Sequence, residues 1–259
     1  MSQLITGEKT PQQMKDMREC GKMLATIYDE LKKSVTAGMS ELDANDFVAK
    51  RIKDFGAEAT YLTDEVKFPG VICISTNDQL VHSLPTEYVF EKGDVVSFDL
   101  VIGYKGYHTD AAFTTVVGKA NPAVKQMIKT TEKALWAGIE TVAPGVHLGD
   151  IGYAVEKVLR AGHLGVIENY VGHFIGKSMH MEPEVPNYGK RGRGYVLKPG
   201  DTLCIEPMSS LGKPYNHVDP KSGWNVVLSD GSIGCHCEHT ILVTEDGYEV
   251  LTLPNCPKE

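Results

Sequence analysis

The chain has 259 residues, 42% of them hydrophobic and 23% charged, with a net charge of −8. That is the composition of an ordinary soluble globular protein, and its acidic balance argues against a general nucleic-acid binder. No apolar run approaches the roughly 20 residues of a membrane span, and the start, MSQLITGEKTPQQ, has neither the basic nor the apolar region of a secretory signal. Six cysteines in a chain this long do not make a disulfide framework. Cys73, Cys204, Cys235 and Cys237 sit in strand-like apolar runs and read as small buried hydrophobes, which suits a reducing cytoplasm.

Apolar positions from Met14 to Leu31 recur at helical spacing, predicting a helix over Pro11–Val35. Ser40 and Asp43 form a capping-box-like start for a second helix ending near Phe55, with Gly56 as its stop and Met39 as a hydrophobic staple. From Val66 the pattern turns to strand. Val71–Ser75 is a buried run, Thr76–Asp78 is turn chemistry, and His82 follows between apolar residues, where a structural histidine is the plain reading.

Asp94–Val117 reads as a hairpin around Gly103-Tyr104-Lys105-Gly106. A turn centred on Tyr104 and Lys105 pairs Asp99 directly with Asp110 on one face, with Cβ atoms about 4.5–5.5 Å apart. Carboxylates that close need a shared proton, a basic side chain or a cation between them, unless the hairpin is exposed and its acids face water.

Asn121-Pro122 starts a third helix running to about Val142, and a fourth spans about Leu148–Arg160, closed by Gly162. The order helix, helix, strands thus occurs twice. That predicts an α+β chain of two pseudo-equivalent halves with a site between them. With no low-complexity linker, one domain is expected over residues 1–259, with a short N-terminal extension at 1–10.

Gly172 and Gly176 enclose three residues, where a phosphate-binding loop needs four, so nucleotide binding is not indicated. His173 and His180 lie too far apart to share a helical face, but a loop brings them together. Tyr188–Gly194 is a basic loop, either a solvated connection or a contact to RNA or the ribosome. Glu206 and Glu238 each interrupt an apolar strand, where a charged residue is seldom buried without a partner. The cluster Cys235, His236, Cys237 and His239 matches no tetrahedral zinc spacing, because alternate strand residues point to opposite faces.

Asp99, Asp110, His173, Glu206 and Glu238 together make an inventory for a dinuclear centre, in which carboxylates bridge two ions about 3.5–4 Å apart. Such oxygen-rich ligands suit Mn, Fe or Co as well as Zn. Asn77-Asp78-x-x-x-His82-x-x-Pro85, Asp99 with Asp110, and Gly172-His173-x-Ile175-Gly176-x-x-x-His180 occur in order. Ile205-Glu206-Pro207-Met208 and Glu238-His239-Thr240 follow. In order and spacing, over essentially the whole chain, these resemble the type I methionine aminopeptidases of the pita-bread metallopeptidase family.

The resemblance implies a pita-bread fold: a curved antiparallel sheet in two pseudo-symmetric halves, with helices outside. It implies that Asp99 chelates one metal, that Asp110 and Glu238 bridge both, and that His173 and Glu206 complete the other. Glu206 would also accept a proton from the nucleophilic water. His82 and His180 would face the substrate and steady the scissile amide and its tetrahedral intermediate. The implied reaction is removal of the initiator methionine from nascent chains at the ribosome when the second residue is small, by a monomeric cytoplasmic enzyme. Phe68, Cys73, Trp224 and Met179 match the wall of a methionine pocket, and Asn77, Gln79 and Gly234 match the positions of a structural monovalent cation. Tyr61–Lys67 departs from the family's usual leucine-glycine-tyrosine pattern, Met179 stands where an aromatic is common, and Phe174 replaces a usual glycine. The chain shows no N-terminal zinc-finger extension and no long insertion in its second half, which points to the short bacterial-type or organellar-like form. Competing expectations are an Xaa-Pro peptidase on the same fold, and a non-catalytic module docking on ribosomes or RNA through Lys190–Arg193.

Overall fold

Two helix pairs, each packed on its own pair of strands, build the molecule. The computed structural model describes residues 9–64 and 66–253, so most of the expected extension at 1–10 lies outside the described residues. Helix α1 spans Pro11–Ser34. Thr10 caps it with a reciprocal Thr10/Gln13 capping box, and proline takes the first helical position, where the missing N–H costs nothing. Helix α2 spans Glu41–Asp54 from a Ser40/Asp43 capping box, and Gly56 takes the left-handed conformation that ends it. Helix α3 covers Pro122–Ile139 under an Asn121 cap and stops short of Val142, because the chain tightens into turns from Glu140 onward. Helix α4 covers Leu148–Ala161 and closes at Gly162. No described helix is long and apolar enough to cross a membrane.

The nine-stranded antiparallel sheet has the long hairpin Val95–Tyr104 and Tyr107–Val116 in one half, and Glu238–Val243, Thr202–Ile205 and Gly172–Phe174 in the other. Strand alternation separates two environments. Phe98, Leu100, Ile102, Ala111 and Phe113 point to one face and bury against α1 and α2. Leu203, Ile205, Ile241 and Val243 point the same way in the second half and bury against α3 and α4. Each large apolar side chain so buried contributes about 1.5–3 kcal/mol. The duplicated element order is therefore a duplicated core, and the opposite, concave face is left for other chemistry.

The hairpin corrects one expectation. Its two-residue turn is Lys105-Gly106, with φ of 50° and 77°, rather than Tyr104-Lys105. Both residues are left-handed, as a type I′ turn requires; glycine adopts that conformation freely, whereas the expected turn would have forced Tyr104 into it. Asp99 consequently pairs with Ala112, and Asp110 with Val101. The register differs by two residues, not one, so both carboxylates keep the same face and become diagonal neighbours.

Candidate metal centre

The concave face collects the acids. Asp99 and Asp110 project from the hairpin, and Glu238 stands opposite Ala112 across the central strand pair. Glu206 follows the Thr202–Ile205 strand with the parity of Cys204, on the face away from Leu203 and Ile205. His173 lies on its short strand at a register irregularity, of the kind that re-aims a side chain. Gly172 lets that strand approach closely: a Cβ there would meet the Cys204 carbonyl oxygen at 2.2 Å. The structure therefore brings together all five residues of the sequence inventory.

Each is at most 7% exposed. His173 Nδ1 lies 3.0 Å from the Phe174 carbonyl and donates there, and the Met179 backbone also hydrogen-bonds this imidazole. Its Nε2 lies 3.6 Å from Asp110 Oδ2 and 3.6 Å from Glu206 Oε1, too far for hydrogen bonds. Tyr61 Oη donates to Asp99 Oδ1 at 2.8 Å. Thr240 Oγ1 holds the Asp110 backbone twice, accepting from its N–H at 2.9 Å and donating to its carbonyl at 2.7 Å. Asp110 Oδ1 and Glu238 Oε1 are buried with no hydrogen-bond partner.

Burial pushes all four carboxyls well above the usual carboxylate range, reinforced at Asp99, Glu206 and Glu238 by neighbouring negative charge. The surroundings offer no positive charge in return. Among the described residues, no lysine or arginine lines the pocket. Burial lowers His173 and His82 to about 4, so both are neutral at physiological pH. Of the three compensations open to paired acids, a basic side chain is absent. Orphaned carboxylate oxygens fit a divalent cation, as do two groups of ligand atoms each within 4.8 Å of one another, Asp110, His173, Cys204 and Glu238 in one and Glu206, His236 and Glu238 in the other.

The cluster opens into two cavities. An inner one of about 290 Å³ runs from the carboxylates to Phe68, Cys73, Met179 and Trp224. Phe68 packs edge-on against Trp224 at 5.2 Å and tilted against Tyr61 at 5.4 Å. All four expected pocket residues thus come together, and Tyr61, from the segment that departs from the family pattern, ties that wall to Asp99. Phe174 does not reach the pocket: it points into the core under α3 and α4, 5.4 Å from Tyr195.

The outer cavity, about 760 Å³, shares His82, His173, His180 and Glu206 with the inner one. His82 has a left-handed backbone, φ 57°, which is strained for a residue with a Cβ and turns its ring into this junction. His180, more exposed, stands with its ring 4.3 Å from that of His173. Asn77 and Gly234 also meet, the Asn77 carbonyl accepting from the Gly234 N–H at 2.9 Å, while Gln79 pairs with Val227 nearby. The basic loop is pinned to α4: the Gly149 N–H donates to the Arg193 carbonyl, and the Arg191 guanidinium lies 4.6 Å over the Tyr153 ring.

His236 was passed over in the sequence. The alternation that ruled out a zinc site with its flanking cysteines also places it on the face of Glu238. It is 1% exposed, 3.6 Å from Glu206 Oε2 and 3.8 Å from Glu238 Oε2.

The profile described as metallopeptidase family M24 matches residues 15–245. Methionine aminopeptidase 1 of Bacillus subtilis is 36% identical over 244 residues, covering 94% of this chain and 98% of the relative. The crystal structure of methionine aminopeptidase from Thermotoga maritima superposes with a TM-score of 0.93 at 36% identity, over 96% of this chain and all of that one. Prolidase from Pyrococcus furiosus shares the fold alone, with a TM-score of 0.74 at 22% identity, and this chain spans 65% of its length. On its sequence and on the curled, helix-backed sheet that gathers these carboxylates, the chain belongs to metallopeptidase family M24, with the methionine aminopeptidases as its full-length relatives.

Proposed function

We propose that the protein removes the N-terminal methionine from peptides and nascent chains when the second residue is small, using two divalent ions. One observation carries this reading: a buried cluster of four carboxylates and an imidazole forms the floor of an aromatic, sulfur-tolerant pocket. Asp99 would hold one ion, His173 and Glu206 the other, and Asp110 and Glu238 both. When bound, such ions lower the pKa of a water and polarise the scissile carbonyl. Co, Mn, Fe and Zn all suit this donor set.

The protein's own groups do the rest. The methionine side chain enters the inner cavity against Phe68, Cys73, Trp224 and Met179, and the following residues leave through the outer one. Glu206 lines both cavities where they meet, the place from which a carboxylate would take the proton of the attacking water. Neutral His82 and His180, at the junction, hydrogen-bond the scissile amide and the oxygen that gains charge. A bulky second residue would crowd that junction, which both cavities share. The site needs no second chain, which supports a monomer acting on chains as they leave the ribosome.

Metal-loaded protein is expected to release methionine from Met-Ala-Ser, to act far more slowly on Met-Leu-Ser and to leave Ala-Pro peptides intact, followed as free amino acid. Cleavage of Ala-Pro with Met-Ala-Ser untouched would contradict the reading and favour the Xaa-Pro alternative.

A further inference from the structure

The central strand pair relates the two halves of the sheet by a local two-fold. Ala112 stands opposite Glu238, and Ala111 opposite His239. A two-fold through that pair places Glu238 where Ala112 stands, Thr240 where Thr114 stands, and His236 where Asp110 stands. The hydrogen bonds repeat accordingly. Thr240 Oγ1 clamps the N–H and carbonyl of Asp110. Thr114 Oγ1 clamps those of His236, accepting from its N–H at 3.0 Å and donating to its carbonyl at 2.7 Å. Ser97 Oγ fixes Thr114 in turn at 2.8 Å. His236 is thus the structural counterpart of an acid assigned to both ions, held at least as firmly and just as deeply buried.

Its side chain is unfinished. Both ring nitrogens are buried without a hydrogen-bond partner. The Glu206 carboxylate lies between two imidazoles, with Oε1 facing His173 Nε2 and Oε2 facing His236 Nε2, each at 3.6 Å. An ion shared with His173 draws on Oε1. Oε2 is then left in a buried site, where an unpaired carboxylate oxygen is costly and a ligating carboxylate is normally held by a donor. His236 Nε2 is the side-chain nitrogen that faces it, 3.6 Å away and within a small side-chain shift of a hydrogen bond.

We infer that His236 is a positioning residue of the metal centre, whose imidazole N–H holds the outer oxygen of Glu206 and fixes that carboxylate for metal binding. The inference rests on the dinuclear reading above. It gives this residue a place outside the metal's own ligands, and it assigns the second half of the site a device that the first half meets with Tyr61 on Asp99.

The test is titration calorimetry of metal-stripped protein with Mn²⁺ alone, on wild type, His236→Leu and His236→Gln. Leucine should weaken binding about 10–100-fold, the usual cost of losing such an outer partner. Glutamine, which keeps a donor, should restore most of it, and equal melting of the stripped proteins would separate this from a folding defect. Electron spin echo modulation of Mn²⁺-loaded wild type, which needs no variant, should show one directly bound imidazole nitrogen. Leucine binding as tightly as wild type, or a second bound nitrogen that disappears in His236→Leu, would overturn the assignment. If wild type itself takes up no Mn²⁺, the dinuclear reading fails instead.

Discussion

Replacing Asp110 with alanine is expected to cost the protein its bound metal and its activity together. Asp110 sits among the acids with Oδ2 toward His173 and Oδ1 buried without a hydrogen-bond partner. Its backbone is clamped by Thr240, which holds the carboxylate at a fixed place on the concave face. Polarising a carbonyl with metal is worth several kcal/mol, and each 1.4 kcal/mol is tenfold in rate, so kcat/KM on Met-Ala-Ser should fall on the order of 10³–10⁴-fold. The fold should survive, because Asp110 faces the concave side and contributes to neither helix-backed core. Relief of like-charge crowding should even raise the melting temperature of the metal-free protein. Metal content by elemental analysis, kcat/KM and melting of the stripped protein check the three parts. An alanine variant that keeps full metal content would contradict the role given to Asp110.

Glu206→Gln separates metal binding from proton transfer. Glutamine keeps the size of the side chain and one oxygen for the ion, but it cannot accept a proton. The loss should therefore appear in kcat, by roughly 10²–10⁴-fold, the range for a positioned general base. KM should change less than kcat, because Phe68, Cys73, Met179 and Trp224 form the apolar wall that takes the methionine side chain. A variant with wild-type kcat, or with its whole loss in KM, would remove Glu206 from proton transfer.

Much of this site was legible because buried acids are conspicuous in apolar strands. Asp99, Glu206 and Glu238 break runs such as Val-Ser-Phe-Asp-Leu and Leu-Cys-Ile-Glu, where only a partnered charge is tolerated. Helix starts followed from capping chemistry at Ser40 and Asn121, which acts within a turn of chain. The hairpin register depended on whether Tyr104 or Gly106 would take the left-handed position. Glycine's freedom decides it, and an error of two residues still leaves the face correct.

What was hidden depends on distant chain. His82 reads as a structural histidine until the left-handed turn after Val81 carries it toward His180, about a hundred residues away in sequence. Phe174 looks like an intrusion beside His173 until strand alternation sends it into the helix-backed core. His236 reads with its cysteine neighbours as a broken zinc pattern, and only the folded sheet puts it on the face of Glu238 and beside Glu206. The clamp by Thr114 and the two-fold that relates it to Asp110 exist only once the two halves of the sheet have met.

Titrating metal-stripped wild-type protein with Mn²⁺ or Co²⁺, counting bound ions while following methionine release from Met-Ala-Ser, tests the central claim most directly. Activity should rise from near zero with metal bound and level off as two ions per chain are reached. The midpoint should move to higher metal concentration in acidic buffer, because protons compete for carboxyls whose pKa values burial has raised. Methionine release that is undiminished in the stripped protein, or ions bound with no release at any loading, would contradict it.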